Sequence, residues 1–120
     1  MLAIYNSDRI SIGRKVMASG AVSYPNWREK VVFSPEGPSP QVLLVDEKAK
    51  VVVAGLQAGQ SIPPHPETLG VFHCLEGTGW MTVDGERIPF NSGAIVVAPA
   101  GTSRGVEAET QLAFLAVRVL

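Results

Sequence analysis

Short runs of β-branched and other apolar residues recur along the chain, each closed by a turn signal, and no 3.6-residue hydrophobic period persists for three turns. The pattern predicts an all-β protein. Gln41 to Val45 and Lys50 to Gly55 are two such runs, joined by Asp46-Glu47-Lys48-Ala49, a polar linker of hairpin length. Gly79 to Val83 and Glu86 to Phe90 flank Asp84-Gly85, a pair suited to the type I′ turn, whose two central residues both take positive φ. Further strands are predicted at Ala94 to Ala98 and Gln111 to Leu120. Tyr24 to Phe33 reads as one or two strands broken at Pro25, and Ser34 to Pro40, rich in Pro and Gly, reads as loop. Residues 1–20 read as an arm packed on the outside of the domain, with a one-turn helix near Ile10 to Met17 as an alternative.

Several predicted strands are apolar at consecutive positions: Val51 to Ala54, Ala94 to Ala98 and Leu112 to Val117. Both faces of each must then leave water, and one barrel interior covers only one of them. A second sheet, the N-terminal arm or another subunit has to cover the other, and an isologous homodimer is the economical source of that cover.

At 120 residues and 46% hydrophobic content, the chain is expected to form one domain with a single core. One Cys excludes an internal disulfide. Ten Lys+Arg against eleven Asp+Glu give a net charge of -1, and no window gathers basic residues into a stripe, so nucleic acid is not an expected partner. No apolar stretch approaches the roughly 18 residues of a membrane span, and Met1 to Tyr5 run into Asn6, Ser7 and Asp8 too soon for a signal-peptide core. The expectation is a soluble cytoplasmic protein without membrane partners. Trp27 and Trp80 read as core or interface residues. There is no Gly-X-Ser-X-Gly elbow, phosphate-cradling loop, His-Glu-X-X-His or paired-Cys motif.

The informative stretch runs from Gly59 to Arg104. Gly59 is followed by five residues and His65, with Glu67 two positions on and Gly77 after it. Gly93 is followed by five residues, Pro99, one residue and Gly101, and Arg104 stands three positions later, with Ala108 beyond. This resembles the cupin superfamily, whose motifs are Gly, five residues, His-X-His, three or four residues, Glu, six residues, Gly, and Gly, five residues, Pro-X-Gly, two residues, His, three residues, Asn. The fifteen residues between Gly77 and Gly93 resemble the short spacer of compact microbial cupins. The resemblance implies a cupin jelly roll, a small antiparallel β-barrel, spanning 1–120 as one domain. In it 1–40 form an arm and outer strands, 41–120 form the barrel, and the two motifs lie at 59–77 and 93–108.

Metal-binding cupins use two His and a Glu from the first motif and a His from the second. In this chain Glu67 replaces the second His, Arg104 replaces the last His, and the Glu position counted back from Gly77 falls on Gly70. The loop before it is one residue short, which leaves Val71 as the other candidate for that slot. No cofactor is therefore expected. If a divalent transition metal were held, the set would be His65, Glu67 and His73, the last turned inward by a bulge at the shortened loop. Without a bulge, and with Gly70 facing the pocket as the resemblance implies, strand alternation carries Phe72 and Cys74 inward and His73 outward. Cys74, in the apolar stretch Val71 to Leu75, also reads simply as a small buried hydrophobe whose thiol pKa is raised.

The pocket implied by the resemblance is framed by His65, Glu67, Phe72, Cys74 and Arg104. Pro63, Pro64 and Pro66 stiffen the backbone around His65 and fix the direction of its ring. Arg104 is a permanent cation with a planar fork suited to a carboxylate or phosphate, so the expected partner is a small anionic molecule. Alternatively Arg104 pairs with Glu67 or Glu107 as an internal tie. Three functions stay open: a binding pocket or weak acid-base site built on His65 and Glu67, a metal-dependent oxygenase or isomerase, and a non-catalytic dimerisation scaffold.

Overall fold

The computed structural model describes residues 15–120. Eleven strands are present among them: β1 Lys15–Val16, β2 Val22–Ser23, β3 Ser39–Val45, β4 Ala49–Leu56, β5 Ser61–Pro66, β6 Gly70–Glu76, β7 Gly79–Val83, β8 Glu86–Pro89, β9 Ile95–Ala98, β10 Ser103–Ala108 and β11 Leu112–Val119. They form an antiparallel five-stranded sheet in the order β3-β4-β11-β6-β9, a four-stranded sheet β5-β10-β7-β8, and the small β1-β2 pair. This is a jelly roll. Among the described residues, no helix is long and apolar enough to cross a membrane.

The hairpins follow from local chemistry. Between β7 and β8, Asp84 and Gly85 take φ of 49° and 85°, the double positive that a type I′ turn demands. Between β3 and β4 the Asp46 carboxylate accepts hydrogen bonds from the backbone N–H groups of Lys48 and Ala49. Those two bonds hold its carboxyl below the ordinary carboxylate range.

Alternation then builds the interior. Ala54 and Leu56 of β4, Phe72 and Cys74 of β6, and Leu112, Phe114 and Ala116 of β11 face Met81, Val106 and Ala108 of the opposing sheet, with Phe90 beside them. Leu56, Met81, Phe90 and Leu112 are fully buried. Each contributes about 1.5–3 kcal/mol relative to exposure. Phe114 sits at the centre, its ring 6.2 Å from that of Phe72 and 5.9 Å from that of Phe90.

The region ahead of the barrel departs from expectation. Tyr24 to Phe33 is not a strand: Asn26 caps a single 3-10 turn, Trp27–Glu29, its side chain accepting from the Arg28 N–H. The residues that follow lie on the outer face of the five-stranded sheet, where Val31 packs with Val53 and Ala113, flanked by Trp27, Phe33 and Leu75. The two-sided strands are thus covered in part by this segment of the same chain, and less of the outer face is left for a second subunit. Ile95 and Val97 on the edge strand β9 remain 66% and 58% exposed. Ser39 and Pro40, read as loop, pair with Gly55 and Ala54 at the start of β3, an edge strand where a Pro removes no needed ladder bond. The helix expected near Ile10 to Met17 lies mostly outside the described residues, and its described end, Lys15–Val16, is strand.

Candidate functional site

One end of the barrel gathers the chemistry. β5 and β10 pair His65 with Arg104, and β11 lies between β4 and β6 so that Arg118 stands beside both Lys50 and Gly70. These side chains ring a cavity of about 240 Å³ whose deeper wall includes Val52, Ala54, Ile62, Phe72, Val106 and Phe114. His65, Glu67, Phe72 and Arg104 all line it. Cys74 does not: it lies in the core with its Sγ turned to the carbonyls of Glu76 and Gly77, so the pocket outlined from the sequence loses that member. Burial pushes its thiol pKa up, and the contact with Glu76 offsets this only in part.

Arg104 is only 3% exposed. Its Nη1 donates to the carbonyls of Thr102 at 2.7 Å and Glu67 at 3.0 Å, and its Nη2 donates to the carbonyl of Thr68. Neither expected ion pair forms. Glu107 faces the other side of β10 and meets Arg87 at 3.4 Å, and the Glu67 carboxylate meets Arg118 at 2.9 Å and His65 Nε2 at 3.3 Å. Its two Nη groups are met instead by main-chain carbonyls of the β5–β6 loop and of the residue before β10. Its Nε has no hydrogen-bond partner among the described residues. Burial lowers its pKa from the ordinary Arg value, with the Glu67 charge acting the other way.

Gly70 explains how so large a group fits. A Cβ built there would stand 2.9 Å from Arg104 Nη2 and 2.9 Å from Cε2 of Phe72. The slot counted as the motif Glu is therefore Gly70 rather than Val71, which pairs with Val97 and Val117 and alternates to the outer face. The space a ligating Glu would take is filled by the guanidinium.

That arrangement does not suit a divalent metal. A buried, permanent cation stands beside His65 among the motif residues, and Glu67 is already engaged by Arg118. The alternative set of His65, Glu67 and His73 does not converge either. The bulge in β6 falls where Leu75 is skipped between Cys74 and Glu76, not at the shortened loop, so His73 keeps the outward sense, opposite Ile95 and Leu115. Among the described residues no group of three or more His, Cys, Asp and Glu could hold a metal ion.

His65 is half exposed at the rim, its Nδ1 3.1 Å from the carbonyl of Pro63. Both ring nitrogens therefore lie near oxygen atoms. Lys50 and Arg118 escaped the sequence reading. Their signal was present, since Lys50 continues the inward series of Val52 and Ala54, and Arg118 that of Phe114 and Ala116.

Comparisons with known proteins agree with this fold. The family described as "Cupin domain" matches residues 52–118. An RmlC-like cupin protein from Desulfovibrio desulfuricans is 32% identical with a TM-score of 0.69, covering 73% of this chain and 87% of its own. A conserved protein of unknown function from Streptococcus pyogenes is 24% identical with a TM-score of 0.71, covering 78% and 82%. A variant of the salicylate 1,2-dioxygenase from Pseudoaminobacter salicylatoxidans shares the fold at 22% identity and a TM-score of 0.64, covering 69% of this chain and only 27% of its own. No curated protein matches the sequence. With two glycine-anchored motifs in register, a jelly roll around them and a family match over more than half its length, the chain belongs to the cupin superfamily.

Proposed function

We propose that the barrel cavity binds a small organic anion and does so without a cupin metal centre. The observation that carries this is charge: Lys50, Arg104 and Arg118 line the cavity against Glu67 alone, three positive charges less one negative, leaving an excess of +2 with His65 neutral. The chain as a whole carries -1, so this excess is local. An excess of one sign at the mouth of a low-dielectric cleft concentrates the opposite ion. A saturating ligand, at a hundred times its Kd, stabilises the fold by about 2.7 kcal/mol. A thermal-shift screen of chemically varied organic anions should therefore yield hits of several degrees, and a screen in which no anion moves the melting temperature would overturn the proposal.

The absence of a metal centre is tested separately. Two side chains, one already ion-paired, offer too few donors to hold a transition metal against water. Protein purified without chelator or affinity tag should carry clearly sub-stoichiometric metal. Near-stoichiometric Fe, Mn, Ni or Zn, lost in His65→Ala, would instead support a metal-dependent oxygenase or isomerase.

A further inference from the structure

The cavity is layered by polarity in the same order on both walls. On the five-stranded sheet, β4 and β11 pair Arg118 with Lys50, then Ala116 with Val52, then Phe114 with Ala54. On the other sheet, β5 and β10 pair His65 with Arg104, then Ile62 with Val106. Each step descends about 7 Å along β4, β11 and β10, two residues at a time, while β5 takes three residues from His65 to Ile62 through a register shift. All the lining charges thus sit on the first rung, and the rungs below present no polar side chain.

Resting on the anion-binding reading, we infer that the ligand is a monocarboxylic acid with a compact apolar body, seated body first, its carboxylate held at the rim. The lower rungs set the body's chemistry. A hydroxyl or second carboxylate carried down to Val52, Ala54, Phe114 and Val106 finds no side-chain partner to replace the water it gives up. Sugars, sugar phosphates and dicarboxylates are disfavoured on that ground. Size limits it further: about 240 Å³ falls below the roughly 300–1,000 Å³ of sites for drug-sized ligands, so the body is a single ring or a short branched chain.

The rim sets the head group. Arg118 is tied to Glu67, but Lys50 and Arg104 make no ion pair among the described residues, and Arg104 keeps a buried Nε–H without a partner in a side chain that lines the cavity. A carboxylate meets both unpaired charges. The loop carbonyls of Glu67, Thr68 and Thr102 hold the Arg104 fork in place before any ligand arrives, so little conformational freedom is lost on binding.

Calorimetric titration of the full chain with benzoate, 3-methylbutanoate, benzamide, succinate, inorganic phosphate and glucose 6-phosphate tests this. Benzoate or 3-methylbutanoate should bind at least about tenfold more tightly than each of the other four, the equivalent of about 1.4 kcal/mol. Lys50→Gln, at the rim, should weaken benzoate by a similar factor while leaving the unliganded melting temperature in place. Ala54→Leu, which fills the lower cavity, should abolish benzoate binding, and its own melting curve reports whether it is folded. If succinate, phosphate or glucose 6-phosphate binds more tightly than both monocarboxylates, this inference falls while the anion reading stands. If benzamide matches benzoate, both fall, and if none of the six binds, this inference falls while the wider thermal-shift screen decides the anion reading.

Discussion

Replacing Arg104 by Ala is expected to lower the stability of the ligand-free protein by about 2–4 kcal/mol, a fall of roughly 10 °C in melting temperature for a domain of this size. The loss has two sources. Truncation empties the space between Gly70 and Phe72, both of which are packed against the guanidinium, and it deprives the carbonyls of Glu67, Thr68 and Thr102 of a charged donor. Removing a buried charge works in the opposite direction, since its desolvation is no longer suffered on folding. Arg104→Met separates these terms: it refills most of the volume, leaves the carbonyls to water at the loop surface, and should lie between wild type and Arg104→Ala. Urea melts of the three proteins measure the differences, with unchanged slopes showing that the denatured states are comparable. An Arg104→Ala protein as stable as wild type would mean that the guanidinium does not tie the β5–β6 loop to the barrel.

The Arg104 result also shows where sequence reasoning about a site runs out. The cupin resemblance put Arg104 and Gly70 at inward positions, and alternation from Gly70 put Phe72 beside them and His73 on the far face. What met the guanidinium was not readable, because side chains can be listed from a sequence and the main-chain carbonyls of a particular loop cannot. Cys74 failed for a related reason. Period-two alternation fixes which face a residue takes, but not how deep along the barrel it lies, and Cys74 shares the face of Gly70 and Phe72 one rung below the cavity. Lys50 and Arg118 were hidden by their setting, each at the end of a strand whose consecutive apolar residues drew attention to both faces at once.

The fold was legible for a different reason: its punctuation is local. Six of the nine barrel strands, β3, β4, β7, β8, β9 and β11, fell within a residue or two of their predicted ends, because Asp84-Gly85, the 46–49 linker and the motif glycines dictate backbone turns without help from the core, whereas β5, β6 and β10 were given no ends from the sequence. Residues 24–33 lacked such a marker on the strand reading. They carried another, Asn26 followed three residues later by Glu29, the arrangement of a helical cap, and the turn that it starts is what places Val31 on the outer sheet.

The strongest of these local markers is Gly77, and Gly77→Ala is expected to cost more than about 3 kcal/mol, enough to lose most of the folded protein from a domain of ordinary stability. Two effects coincide there. The backbone has φ of 93°, where an L side chain is strained by about 1–3 kcal/mol, and a Cβ would lie 2.0 Å from the carbonyl oxygen of Gln111 and 2.8 Å from Cα of Leu112. Neither neighbour can retreat, because both are main chain and Leu112 is fully buried at the start of β11. Two further substitutions separate the contributions. Gly93→Ala has the same φ of 92° with nothing within 4 Å of the new Cβ, so it carries the conformational cost alone. Gly79→Ala has no positive φ, but its Cβ would meet the carbonyl oxygen of Glu107 at 2.1 Å, so it carries the steric cost alone. Denaturant unfolding should rank Gly93→Ala as the mildest, Gly79→Ala as more severe and Gly77→Ala as the most severe. A Gly77→Ala protein that loses no more than Gly93→Ala would show that β6, β7 and β11 do not approach as closely at this corner as the structure places them.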